Sequence, residues 1–463
     1  MPAAASNRLN VIFGAILIQL SLGAIYAWSV FTPALQAAGW SKLDTQVVFA
    51  VGLVTFALTM VFAGRALAKW GPRTLAVAGG LALGGGYALT GLLGATEFWI
   101  VLLGIGVIGG AGIGLGYVVP IAVGMRWFPD KKGLITGLAV AGFGFGAMGW
   151  VKMAGTWGHL INSVGLAQTF MLYGAAFAVM ILLGSLWMRM PPKGWKPEGY
   201  VAPAATGGNG GQEFTAAEML RTPQFYLVFL TFTASAGAGL MSIGLMKLYP
   251  MEALQAAGYG PVEASAIAGT AMAVFFSIAN GIGRIAWGTL SDRIGRKRSI
   301  MVMTLSQALF LFAFTGMAGS EYLLYLGAAL IGFNFGGNFA LFPTFTADLF
   351  GNKRVGQNYP LIFLSYGVGG VAGPVLGGML GDLGNFPAAF AICGAACLGG
   401  AVCTWMVATP DHEEARHPAS VHGFLHQMHL DHIEEVVEFA LHPDHFKRTM
   451  RTDSANDDEH QAA

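Results

Sequence analysis

The residues that could do chemistry cluster in one stretch, Ala279-Asn280-Gly-Ile-Gly-Arg284-Ile-Ala-Trp-Gly288-Thr-Leu-Ser-Asp292-Arg293-Ile-Gly295-Arg296-Lys297-Arg298. It joins a long apolar segment to a basic loop, and the residues turn polar from Gly288 onward. Asp292 follows Arg284 by two helical turns, roughly 12 Å of rise. In a hydrocarbon core of about 30 Å, Arg284 then lies inside the membrane, on the basic-loop side of the midplane. A guanidinium there costs at least about 2.5–3.5 kcal/mol and needs a partner. No carboxylate stands in the interior of any apolar segment, so a ligand anion is the partner this reading predicts. The bland alternative is a side chain that snorkels to the loop or pairs with backbone carbonyls. Arginine suits a carboxylate because its planar fork donates two parallel hydrogen bonds. Asn280, one turn earlier on the same face, cannot neutralise the cation; it reads equally well as an asparagine bonding a neighbouring helix.

Three tyrosines and a tryptophan lie in other apolar segments as candidate cavity walls: Tyr26 and Trp28 in the first, Tyr117 in the fourth, Tyr366 in the eleventh. A phenol can donate to a carboxylate while its ring encloses the apolar part of a ligand, although each is as readily a packing aromatic. Cys393, Cys397 and Cys403 share one apolar stretch without metal-ligand spacing and read as small packing residues. No cofactor site is expected.

These side chains need a membrane scaffold to position them. Apolar residues make up 55% of the 463, charged residues 11%, and there are 68 glycines, a balance far from that of soluble domains. A net charge of +1 gives no ground for nucleic-acid binding. About twelve apolar runs of membrane-spanning length occur, the first near 10–35 and the last near 387–408. The fold class expected is therefore an all-α membrane protein of twelve transmembrane helices. Lysine and arginine crowd the loops on one side, which predicts an inner (plasma) membrane protein with both termini cytoplasmic. Residues 1–189 form an N-terminal six-helix bundle, 190–221 a cytoplasmic linker, 222–408 a C-terminal six-helix bundle and 409–463 a tail. Basic turns after the second and eighth spans, and again after the fourth and tenth, indicate parallel duplication around a central site. The run Gly109-Gly-Ala-Gly-Ile-Gly114-Leu-Gly116 lies inside a span, so it reads as close helix packing rather than a dinucleotide loop. The tail carries nine of the ten histidines; a metal tract and a solvated, partly helical tail are the two readings, and the second is preferred.

The Gly288-Thr-Leu-Ser-Asp292-Arg-Ile-Gly-Arg-Lys297 loop is similar to the signature of the major facilitator superfamily. Gln19-Leu-Ser-Leu-Gly23-Ala-Ile-Tyr26-Ala-Trp28-Ser, Arg126-Trp-Phe-Pro-Asp-Lys-Lys-Gly133, Ala347-Asp348-Leu-Phe-Gly351 and Thr222-Pro-Gln-Phe225-Tyr narrow the resemblance to the oxalate/formate antiporter family, relatives of the monocarboxylate transporters. Over roughly residues 8–408 it implies two bundles that alternate access to a midplane site. It implies that Arg284 binds the substrate carboxylate and that Tyr26 and Tyr117 are cavity positions. Phe335 would form a wall, and Asp292, Arg293 and Arg296 would belong to a cytoplasmic gate. Two departures matter. Asn280 replaces the aspartate of mammalian relatives, which puts proton coupling by an Asp-Arg pair in doubt. Tyr366 replaces a lysine of the oxalate transporter. Ala68 stands where the first half would carry the aspartate equivalent to Asp292, so the gate is expected to be weaker there.

The expected function is secondary active transport of a small carboxylate, a monocarboxylate such as lactate or formate, with a coupling proton or counter-anion. A nitrate/nitrite porter and a non-transporting membrane sensor with a His-rich tail are the competitors. Uptake competition separates the first, and binding without countertransport would favour the second. No nucleophile-base constellation suggests an enzyme.

Overall fold

The computed structural model describes residues 2–154, 158–192, 195–197, 212–246 and 248–410. The histidine-bearing tail and most of the linker lie outside them. Among the described residues, twelve helices are long and apolar enough to cross a membrane. They are α1 (Arg8–Trp28), α2 (Val47–Trp70), α3 (Pro72–Leu93), α4 (Phe98–Trp127), α5 (Lys132–Ala154), α6 (Leu160–Ser185), α7 (Pro223–Leu245), α8 (Pro261–Ile294), α9 (Arg296–Met317), α10 (Glu321–Phe350), α11 (Val355–Gly381) and α12 (Phe386–Met406). The end at which α2 meets α3 and α8 meets α9 is called the basic end below.

Local signals set the boundaries. The helix carrying α2 begins at Ser41, whose hydroxyl accepts from the Asp44 N–H at 3.1 Å while Asp44 accepts from the Ser41 N–H at 2.8 Å, a reciprocal capping box. The Ser41 hydroxyl, which also donates to Asp44 at 2.7 Å, and the Ser41 N–H together hold the Asp44 carboxyl below its ordinary range. Gly71 and Gly295 turn the chain at corresponding places with φ of 78° and 90°, a region glycine enters without a Cβ penalty. Helix α8 stays helical through Ile294, past the polar onset at Gly288. The last part of α1 tightens into a 3-10 segment, Gly23–Val30, which carries Tyr26 and Trp28.

Duplication shows in the packing. In the first half α1 packs on α5, α2 on α4, and α3 on α6; in the second α7 packs on α11, α8 on α10, and α9 on α12. The halves meet along two further pairs, α5 with α8 and α2 with α11. Glycines permit these crossings. A Cβ at Gly133 would stand 2.2 Å from the Gly288 carbonyl oxygen, one at Gly137 2.3 Å from that of Arg284, and one at Gly144 3.0 Å from the Gly281 Cα. The α5–α8 seam is thus zipped from the basic end to mid-membrane depth. Across the other seam, Pro360 has no N–H for the Gly356 carbonyl, and a Cβ at Gly64 would stand 2.2 Å from that oxygen. The Gly109–Gly116 run serves the same purpose within the first half: a Cβ at Gly112 would meet the Leu83 nitrogen at 2.4 Å, and one at Gly114 the Phe56 oxygen at 2.6 Å.

Candidate substrate site

Arg284 is fully buried at the α5–α8 seam. Its Nε donates to Asn280 Oδ1 at 3.1 Å, one turn back on α8, and its Nη1 donates across the seam to the Val140 carbonyl at 3.0 Å. The guanidinium carbon lies 4.1 Å from the ring centroid of Phe339 on α10 and 5.4 Å from that of Phe143 on α5. An aromatic face held this close to a desolvated cation contributes roughly 2 kcal/mol. The protein therefore supplies neutral partners, and the ligand anion expected from the sequence is not the arginine's only source of stabilisation. One nitrogen, Nη2, has no hydrogen-bond partner. Leaving a buried charged donor unmatched is costly, so this atom marks where a ligand acceptor fits.

Around it the structure assembles an aromatic cage from both halves. Tyr26 lies against Phe143 at 5.1 Å and Phe335 at 6.5 Å; Tyr117 lies against Phe56 at 5.1 Å and Phe363 at 5.4 Å; Tyr366 lies against Phe363 at 4.9 Å and Phe339 at 5.5 Å. Of these residues only Tyr26 is not fully buried. The hydroxyls of Tyr26 and Tyr366 meet at 2.6 Å and satisfy each other. Tyr117 keeps a buried hydroxyl without a partner and feels the charge of Arg284.

Arg284, Asn280, Tyr26, Tyr117, Tyr366 and Phe335 thus converge. Trp28 does not: its indole N–H donates to the Thr45 carbonyl at 2.9 Å, and it lines a separate small apolar groove with Ile25, Val48 and Tyr87. Two positions from Tyr26, it cannot share that residue's side of the helix. The sequence reading missed Phe143, Phe339, Phe56 and Phe363. Phe339 stands one turn after Phe335, and Phe363 just before Tyr366, so helical spacing was the available signal.

At the basic end, Asp292 accepts the backbone N–H groups of Gly133 at 3.0 Å and Leu134 at 2.8 Å, capping α5 from the opposite half. An anion at a helix N-terminus meets unpaired donors and the positive end of the dipole. Arg296 bonds Asp292 at 2.5 Å and Asp348 at 3.3 Å, and Lys132 reaches Asp348 at 3.0 Å. Arg126 of the first half donates to the Lys353 carbonyl of the second at 2.5 Å. Glu213, at the linker's far end, accepts the Lys353 N–H at 3.0 Å. Arg293 differs from the expectation: it is exposed and joins no ion pair among the described residues. Its neighbours lie on the seam, whereas its own position on α8 faces outward. The first-half position equivalent to Asp292, Ala68, is exposed and carries no carboxylate, and there Gly64 against Gly356 closes the seam by packing.

Twelve membrane-length helices in two equivalent bundles, with a cation enclosed where they meet, define a carrier that works between two bundles. The chain belongs to the Major Facilitator Superfamily, whose family profile matches residues 11–275 and 259–435. It is 32% identical over 376 residues to YhjX, an uncharacterized MFS-type transporter of Escherichia coli (strain K12), covering 79% of this chain and 86% of that one. It is 26% identical over 390 residues to the oxalate:formate antiporter of Oxalobacter formigenes, covering 83% and 88% respectively. Among solved structures, the Escherichia coli fucose:proton symporter FucP (N162A) superposes with a TM-score of 0.62 at 16% identity, covering 85% of this chain and 98% of that chain, a likeness of fold.

Proposed function

We propose that this protein is a secondary active transporter of a small carboxylate, by preference a monocarboxylate, that alternates access between the two sides of a plasma membrane. The observation that carries the reading is the unmatched Nη2 of Arg284, fully buried within an aromatic cage. A carboxylate oxygen can accept from Nη2. Its second oxygen can take Nη1 in place of the Val140 carbonyl, which completes a bidentate pair. That exchange removes a hydrogen bond linking the two halves, so substrate binding and loosening of the α5–α8 seam become one event. Tyr117 supplies a further donor, and the phenyl rings accommodate a short organic body. The relationship to an oxalate:formate antiporter supports the substrate class.

The basic end is assigned to the cytoplasm on its excess of lysine and arginine. Asp292, Arg296, Asp348 and Lys132 then form a closed cytoplasmic gate. The substrate's single charge follows from the side chains: Arg284 is the one cation among the described cage residues, and a second carboxylate would find none.

The test is counterflow of labelled L-lactate in proteoliposomes. Arg284→Ala, correctly inserted, is expected to abolish exchange, and Arg284→Lys to retain little because it loses the fork. Near wild-type exchange by Arg284→Ala would overturn the assignment.

A further inference from the structure

Two other buried hydroxyls have no partner, Thr136 on α5 and Tyr359 on α11. Both are closed off from solvent, at 1% and 0% exposure. Elsewhere in this chain buried threonines within helices satisfy themselves by bonding a carbonyl one turn back, as Thr90, Thr231, Thr304, Thr344 and Thr346 do at 2.7–2.8 Å. Thr136 does not, although the same local solution is open to it.

Their positions are related. Thr136 precedes Phe143 by seven residues and Tyr359 precedes Tyr366 by seven, two helical turns in each case, so each lies on the helix face that holds a cage residue. Both α5 and α11 start at the basic end. Thr136 therefore sits about 10 Å nearer that end than Phe143, and Tyr359 about 10 Å nearer than Tyr366, Tyr359 packing on the cage's edge against Phe363 at 5.7 Å. Thr136 is one turn from Lys132 of the gate, and Tyr359 lies within the electrostatic reach of Arg284 and Tyr117. They mark the axis between the cage and the gate, closed here by the glycine-zipped seam.

We propose that Thr136 and Tyr359 form a second carboxylate station, on the path between Arg284 and the basic end. When the seam opens there, one hydroxyl donor from each half is free to meet an anion leaving Arg284. The station hydrogen-bonds the carboxylate in transit and lowers the barrier to its departure. This inference rests on Arg284 being the primary site.

The experiment measures equilibrium binding and counterflow of labelled L-lactate for the full chain, comparing wild type with Tyr359→Phe, Thr136→Val, the double variant and Thr136→Ser. Arg284→Ala is run alongside. The expected result is an unchanged dissociation constant with an exchange rate lowered about tenfold in the double variant, the effect of losing hydrogen bonds to a charged group. Thr136→Ser, which keeps the hydroxyl, should retain the wild-type rate. An unchanged rate in the double variant overturns the station. So does weakened binding that matches the loss of rate, because the hydroxyls would then belong to the Arg284 site. If wild type binds lactate and Arg284→Ala does not, the primary reading stands and the station is judged on its own variants. If wild type and Arg284→Ala bind lactate equally, the primary reading fails and the station falls with it.

Discussion

The Tyr26 hydroxyl of α1 and the Tyr366 hydroxyl of α11 meet at 2.6 Å, one donating to the other across the two halves. The pair closes one side of the cage with neutral groups, which on the proposed single-charge reading leaves a second carboxylate without a cation. Oxalate is therefore expected to compete for L-lactate uptake far less well than pyruvate or lactate at neutral pH. Tyr366→Lys removes the hydroxyl pair and adds a charge, and should shift preference toward oxalate. Equal competition by oxalate in the wild type would sink the single-charge site.

Asn280 accepts from Arg284 at 3.1 Å without neutralising it. Asn280→Asp would place a carboxylate at the same distance. Ionised, it would pair with the guanidinium, and the substrate anion would lose its partner. Lactate binding is expected to fall about tenfold at neutral pH and to recover as pH drops and the aspartate protonates. A pH profile of binding that stays flat and wild-type in strength would show that Asn280 does not control the cation.

Removing the Asp292 carboxylate leaves the Gly133 and Leu134 N–H groups without their acceptor and Arg296 without one of its two carboxylate partners. Hydrogen bonds to charged groups contribute roughly 1.5–3 kcal/mol, so Asp292→Ala should shift the equilibrium toward opening at the basic end by at least about tenfold. Thiol labelling of a cysteine placed at Thr136 reads this out directly. Labelling no faster than in the parent would place the closing energy elsewhere, in the glycine seam.

That seam has its own test. Gly133→Val drives a side chain into the Gly288 carbonyl, already 2.2 Å from where a Cβ would stand. Backbone cannot yield as a flexible side chain does, so the halves should fail to close at the basic end while each bundle still folds. Exchange is expected to be lost with normal membrane insertion. Retention of exchange would mean that the close approach is not required.

Truncation after Pro410 removes the histidine-bearing tail and leaves all twelve spans intact. Counterflow should be unaffected. A truncated protein that inserts yet cannot exchange would bring the tail into the mechanism.

What could be read along the chain were properties of single segments. Hydropathy marked the twelve spans because each must hide its own backbone from lipid. The depth of Arg284 and its alignment with Asn280 followed from helical rise and period alone, and the recurring basic turns exposed the duplication. The sequence reading grouped Trp28 with Tyr26 as cavity walls, whereas the 3-10 segment that carries both holds them on different sides. The tertiary structure decided the pairings between distant segments. Val140 lies 144 residues from Arg284, and Tyr366 lies 340 from Tyr26. No periodicity within either segment says which hydroxyl is already satisfied and which stays open. The same holds for Asp292, whose nearest basic neighbour Arg293 points outward while its real partners are the first N–H groups of α5. Tyr117, Tyr359 and Thr136 stand out only once the other buried hydroxyls have been matched, because an unmet hydrogen bond is a property of the whole packed interior rather than of any residue in it.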